Sequence, residues 1–193
     1  MNTIQALLYL RADSVSLFDF SWPFVILKLF FMTDIQHIIR KKDKQIFFQV
    51  QLNWLSKQRG ILTATDVKGS IHVATPPAFG GEAGEWSPEH LFLSSVSGCF
   101  MATYLVFAKK SGFEISGFEC ESIGQIELVE GSYRFTTVNV YPRIYIKDES
   151  LRVMAEMALE KTQKHCLVSN SISADILYHS EVLLDSHSKH VIL

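Results

Sequence analysis

Residues 87–112 read SPEHLFLSSVSGCFMATYLVFAKKSG, and this stretch decides the architecture. Helix-start signals stack at its beginning: Ser87 at the N-cap, Pro88 at the first helical position and Glu89 in the first turn. Lys109, Lys110 and then Gly112 are the matching stop signals. The spacing predicts a helix of about 24 residues, roughly 36 Å long at 1.5 Å per residue. Leu91 to Ala108 carry no charge. A helix apolar on every side must be covered on most of them, which makes this the central helix of the molecule, or of an oligomer.

Upstream, Ile46, Phe48, Val50, Leu52 and Trp54 alternate with more polar positions, Phe47 excepted, so Gln45 to Ser56 is expected to be a strand with one buried face. Lys57 to Gly60 reads as a turn, Ile61 to Asp66 as the returning strand and Ser70 to Thr75 as a third. Two Pro and three Gly between Pro76 and Ser87 mark a loop. Downstream, Phe113 to Glu130 and Tyr133 to Lys147 form an expected antiparallel hairpin. Its inward faces carry Phe118, Cys120, Ile126 and Leu128, and Val138, Val140, Ile144 and Ile146. Pro142 removes a ladder donor, which predicts an edge or a bulge there. A second helix from Ser150 to about His165 has the stripe Leu151, Met154, Met157, Ala158, and a last strand runs from Ile172 to Leu184. The expected order is β-β-β-α-β-β-α-β, an α+β domain with two central helices on antiparallel sheet.

The 193 residues suffice for one domain, and 48% hydrophobic residues are enough for a core without staples. A formal charge of -2 with short, offset basic runs argues against a nucleic-acid binder. The apolar run Phe20 to Phe31 is too short to span a bilayer and follows Asp13 and Asp19, so neither a stable membrane span nor a signal peptide is expected. From Met32 the sequence reads as an ordinary cytosolic start. The expected organisation is an N-terminal extension over 1–31, read as upstream sequence from a misassigned start, a domain over 32–185 and a polar tail over 186–193. Membrane attachment through the apolar run is the competing reading.

Cys99, Cys120 and Cys166 have neither the pairing of a disulfide framework nor zinc-ligand spacing, and suit reduced thiols in a cytoplasmic compartment. Gly98 costs about 1 kcal/mol in a helix interior relative to Ala. Its absent side chain lets a substrate or partner backbone approach Cys99, or else it serves close helix packing around an inert, buried Cys. Cys166 follows a charged stretch, where it is either an accessible reactive thiol or a half-buried cap. Cys120, in phase with Phe118, belongs to the core. A reactive Cys99 needs help, because burial raises a thiol pKa. Arg59 is a candidate cation and Glu89 its candidate anchor. Ten residues separate Glu89 from Cys99, about 15 Å on a straight helix, so either the helix breaks or Glu89 and Arg59 come from a second subunit. Plainer roles exist for both, a solvated turn residue and an N-terminal helix acid. A metal site or an acyl-transfer dyad involving His90 or His165 is weakly supported, and no metal is expected.

Taken together, Trp86-Ser87-Pro88-Glu89-His90-Leu91-Phe92, Ser97-Gly98-Cys99-Phe100 and Lys164-His165-Cys166-Leu167-Val168-Ser169-Asn170-Ser171 resemble the OsmC/Ohr family over about residue 40 to Leu184. The resemblance implies an intertwined homodimer with its sites at the subunit interface. It implies Cys99 as the peroxidatic thiol, Cys166 as the resolving thiol, Arg59 as the thiolate-stabilising cation and Glu89 as its anchor. The implied activity is reduction of organic hydroperoxides or hydrogen peroxide through a Cys99 sulfenic acid and a Cys99–Cys166 disulfide. No cofactor is implied beyond an external dithiol reductant, for instance of lipoyl type. Phe79, Trp86, Phe100 and Met101 are expected to line an apolar substrate pocket. Two features depart from the pattern: Leu167 stands where many relatives have Pro, and the loop GGEAGEW before the helix differs from the family's best-known form. The competing class is a non-catalytic dimeric protein of the same fold that binds a small molecule.

Overall fold

A computed structural model describes residues 45–185, and all regular elements lie in the compact unit that begins at Gln49. The expectations for residues 1–31 and 186–193 fall outside the described residues. Strands β1 (Gln51–Ser56), β2 (Arg59–Thr63) and β3 (Ile71–Ala74) form an antiparallel sheet in that order. The β1–β2 turn is shorter than expected: only Lys57 and Gln58 lie outside the strands, Lys57 with φ 48°, so Arg59 is already in β2. The face of β1 expected to be buried is open, with Leu52 60% and Trp54 74% exposed.

Helix α1 (Pro88–Lys110) starts where the sequence places it. Ser87 Oγ accepts from the His90 N–H, and His90 Nδ1 accepts from the Ser87 N–H, so two helix-start amides are satisfied reciprocally. Upstream, β3 is strapped to this start by the Ala74 N–H donating to Trp86 O at 2.8 Å. Only one stripe of α1 is buried: Val96, Phe100, Tyr104 and Ala108, at successive i, i+4 positions. By length and apolarity α1 could cross a bilayer, as the core helix of a globular fold also could.

Strands β4 (Gly117–Val129) and β5 (Ser132–Ile146) pair antiparallel through a two-residue turn, Glu130-Gly131, both with positive φ (52° and 81°), which matches the right-handed strand twist. The inward face of β5 is as expected, with Val138, Val140, Ile144 and Ile146 fully buried. On β4 the expectation fails at Leu128, which is 61% exposed beyond the bulge at Gln125/Ile126. Helix α2 (Arg152–His165) follows a single 3₁₀ turn at Glu149–Leu151. Its buried stripe is Ala155, Ala158, Leu159 and Thr162; of the expected stripe Ala158 is buried and Leu151 packs against the core, whereas Met154 and Met157 are exposed. Small alanines let α2 close on α1 and β5, and the bulkier methionines turn outward.

The last expected strand is two pieces in one line, β6 (Asp175–Tyr178) and β7 (Glu181–Leu184), both parallel to β5. The α+β class stands, but this sheet is mixed rather than antiparallel. The physical reason was available in the element order: β5-α2-β6 is a strand-helix-strand crossover, which returns the chain parallel. Pro142 lies in the central strand β5, not at an edge, opposite the break between β6 and β7. Its missing donor therefore costs no partner on that side.

Candidate active site

Cys99 sits on α1 one residue before the buried Phe100, on the shoulder between covered and open faces, and is half-buried. Cys166 is the C-cap of α2, its N–H donating to Thr162 O at 2.9 Å, and is completely buried. Of its two expected settings the cap is the one found, buried fully rather than by half, because the helix ends with Cys166 turned inward onto the core of Phe100, Tyr104 and Leu159. The two thiols, 67 positions apart in the sequence (166 minus 99), are both free and lie in one packed cluster, close enough for each to act on the other's ionisation.

After Cys166 the chain turns through the 3₁₀ segment Ser169–Ser171, closed by the Asn170 N–H donating to Cys166 O and the Ser171 N–H to Val168 O. The Val168 N–H is aimed at Cys99 Sγ, 3.4 Å away. Burial pushes the Cys99 thiol up, but the donors outweigh it: the Val168 N–H, the Cys166 thiol, the Thr103 hydroxyl one helical turn on, and the Leu167 N–H. The net result holds Cys99 below the ordinary thiol value. These donors are all neutral. A proline at position 167 would have no N–H to offer, so the departure at Leu167 adds a donor. Cys166 is pushed up, by burial above all, and then by Cys99 beside it, against the Ser169 hydroxyl 3.3 Å from its sulfur. The two thiols are thus split, the earlier one disposed to ionise and the later one to stay protonated.

Thr103, Val168 and Leu167 were absent from the sequence-based site. Thr103 was findable as the i+4 neighbour of Cys99. The two amides were not, because a backbone donor leaves no side-chain signature.

Cys120 lies on the inward face of β4, packed with Val96, Val138 and Val140, as expected. Burial raises its pKa. His90 is occupied by the helix cap, and the ring of His165 lies 5.7 Å from that of Phe107, so neither histidine is paired with a thiol. Among the described residues no three His, Cys, Asp or Glu side chains gather as a metal would require.

Arg59 and Glu89 are not joined. Arg59 is ion-paired to Glu85, in the loop before the helix, while Glu89 Oε2 is buried without a hydrogen-bond partner among the described residues. Glu89 instead borders an apolar cavity of about 460 Å³ with Phe79, Leu93, Tyr133 and Phe135 around it. The four expected pocket residues do not share one site. Phe79 lines that cavity, Trp86 is half exposed, Phe100 is fully buried with its ring 5.2 Å from Tyr178, and Met101 faces outward.

Gly98 has open space where a Cβ would be, so close packing within this chain is not its purpose. It belongs to an outward face with Ser94, Met101, Ala102, Leu105 and Val106, all exposed.

The sequence model described as OsmC-like protein matches residues 80–178. An uncharacterised protein of Bacillus subtilis, YmaD, is 18% identical over 132 residues, spanning 67% of this chain and 88% of its own. Among solved structures, an OsmC-like protein of unknown function from Vibrio cholerae superposes with a TM-score of 0.60 at 15% identity, over 70% of this chain and 99% of that one. An organic hydroperoxide resistance protein OsmC from Legionella pneumophila does so with a TM-score of 0.58 at 20% identity, over 73% and 99%.

Proposed function

This chain belongs to the OsmC-like protein family, and from that premise we propose that it is a cysteine-based peroxidase in which Cys99 reduces a hydroperoxide and Cys166 resolves the product. The observation that carries this reading is the packing of Cys99 against the cluster that holds Cys166, both thiols free, with the Val168 N–H of the turn after Cys166 aimed at Cys99 Sγ from 3.4 Å. The Cys99 thiolate attacks the distal peroxide oxygen and the O–O bond breaks. Sulfur is oxidised to sulfenic acid, the peroxide is reduced, and the departing alkoxide takes up a proton to leave as an alcohol. Cys166 then displaces hydroxide from that sulfenic acid, forming the disulfide and releasing water after proton uptake. An external dithiol, of lipoyl type or similar, restores both thiols by exchange, which suits a reducing cytoplasm.

Neutral donors prepare the thiolate, and Arg59 adds a positive charge from a second copy of the chain. That assignment is supported by the outward face around Gly98, whose small residues Ser94, Gly98 and Ala102 permit close helix approach. In this arrangement Glu85 holds the guanidinium, the role the family resemblance gave to Glu89. Organic hydroperoxides are the favoured substrates, because the surroundings of Cys99 are largely apolar.

The test is stopped-flow oxidation by cumene hydroperoxide of the native chain, Cys99→Ser and Cys166→Ser. Rapid loss of one thiol only where Cys99 is present, followed by disulfide only where Cys166 is also present, is the expected result. Slow, equal oxidation of all thiols in every variant overturns it. The thiol-free apolar cavity beside Glu89 favours a second reading, a small-molecule binding protein of the same fold, and that outcome would be its support.

A further inference from the structure

Tyr178, at the end of β6, has no role in the chemistry above. Its ring packs 5.2 Å from that of Phe100, the residue after Cys99, and it borders both buried clusters of the core. Its hydroxyl oxygen is buried, and among the described residues no hydrogen bond of ordinary geometry closes on it. A buried hydroxyl in that condition is costly, since it has given up water without a replacement. Ser169 is its close polar neighbour, near enough to act on the phenol, yet the Ser169 hydroxyl is spent on Cys166 Sγ at 3.3 Å.

The phenol is also near the sulfurs. Burial raises its pKa, and negative charge on Cys166, Cys99 or Cys120 would raise it further, so it remains a proton-bearing donor. A donor without an acceptor beside a serine already bonded to a thiol has an evident use once that thiol ionises. A thiolate draws the Ser169 proton more strongly, which leaves the serine oxygen a better acceptor for the next O–H in line.

We infer that Tyr178 is a positioning residue for disulfide closure, donating to Ser169 as Ser169 donates to Cys166, so that this chain of two hydroxyls supports the Cys166 thiolate while it attacks. The inference rests on the peroxidase reading above and concerns only its second half. In that step Cys166 Sγ forms a bond to Cys99 Sγ, the S–O bond of the sulfenic acid breaks, and the departing hydroxide leaves as water with the proton Cys166 gave up. Tyr178 and Ser169 keep their own protons and supply hydrogen bonds only.

The experiment is a single turnover with cumene hydroperoxide on the full chain carrying Cys120→Ser, followed from pH 6 to pH 9, with sulfenic acid trapped by dimedone and read by mass spectrometry. The variants are Tyr178→Phe, which keeps the ring against Phe100, and Ser169→Ala. Expected for both at neutral pH is a disulfide-forming phase slowed about tenfold, with dimedone adduct accumulating at Cys99 and the preceding oxidation phase within about twofold of the parent. The deficit shrinks as pH rises, because bulk base then supplies the thiolate, and the double variant is no slower than the worse single one. Closure by Tyr178→Phe within about twofold of the parent overturns the inference, as does an equal slowing at every pH, which marks mere loosening of the core. If the parent forms no Cys99 sulfenic acid, the peroxidase reading falls and this inference with it. Normal oxidation and closure in the parent beside unimpaired Tyr178→Phe removes the inference alone.

Discussion

The two sides of α1 are equally free of charge and have opposite surroundings. On one side Val96, Phe100 and Tyr104 are completely buried and Ala108 nearly so; on the other, Met101, Leu105 and Val106 are 41%, 42% and 50% exposed. Hydropathy cannot separate these faces, since no charged residue lies between Leu91 and Ala108 to mark either one. What separates them is side-chain size near Cys99. The covered side is branched or aromatic, whereas the open side is interrupted by Ser94, Gly98 and Ala102. A large apolar face left open by the fold is the kind of surface that marks an interaction site. The inner side therefore sets the stability of the chain, and the outer side is the one that the proposed peroxidase reading gives to a second copy.

Phe100→Ala should break the inner side with the largest effect. Removing a fully buried aromatic ring costs about 3 to 5 kcal/mol, and chemical denaturation should register a loss of that size with Cys99 still present. The comparison is sharpened by the equivalent change on the outer side. Met101→Ala, one residue on, should cost less than about 1 kcal/mol in a chain held monomeric by dilution. Equal losses at the two positions would abolish the distinction between the faces.

Gly98→Leu should come next and should separate folding from association. Within the chain a side chain at 98 meets open space, and leaving glycine in a helix interior gains roughly 0.5 to 1 kcal/mol. At a close helix crossing the same side chain overpacks by about 1 to 3 kcal/mol. Sedimentation should find a weaker dimer, and denaturation of the dilute monomer should find it no less stable. Peroxidase turnover should fall with the dimer, because Arg59 is assigned to the partner's site. A variant that stays dimeric and active would assign Gly98 no part in association.

These contrasts also explain what the sequence made legible. The helix start at Ser87 and the alternation along β5 were readable because caps and period-two patterning are local properties. So was the fate of Cys120, in phase with its strand. The meeting of Cys99 with Cys166 came from family resemblance, since no local pattern joins residues on different helices. The full burial of Cys166 and the outward turn of Met154 and Met157 are not legible for one reason: polarity along the chain does not decide which way a helix faces. Ala155 is a poor hydrophobic marker beside Met154, yet its small size lets α2 pack closely. Arg59 with Glu85 was missed because the pairing depends on β3 running beside Trp86, a long-range contact.

The smallest of these effects should be at Thr103, on the boundary between the two sides of α1. Its hydroxyl is one of several donors that hold the Cys99 pKa down against burial. Thr103→Val removes that donor at nearly constant shape, so the pKa should rise and the pH profile of Cys99 alkylation by iodoacetamide should move to higher pH. Below the pKa, the alkylation rate should drop by about threefold to tenfold, the worth of one ordinary hydrogen bond. Above it the rates should converge, since both proteins are then fully thiolate. The stability linkage has the same sign: a depressed thiol pKa contributes stability that is present above the unfolded value and lost as pH falls through the folded one. Thr103→Val should therefore lose stability relative to the parent in alkaline buffer and less in acid. A profile that keeps its midpoint while dropping at all pH values would mean that Thr103 shapes access to Cys99 and leaves its ionisation to the turn after Cys166.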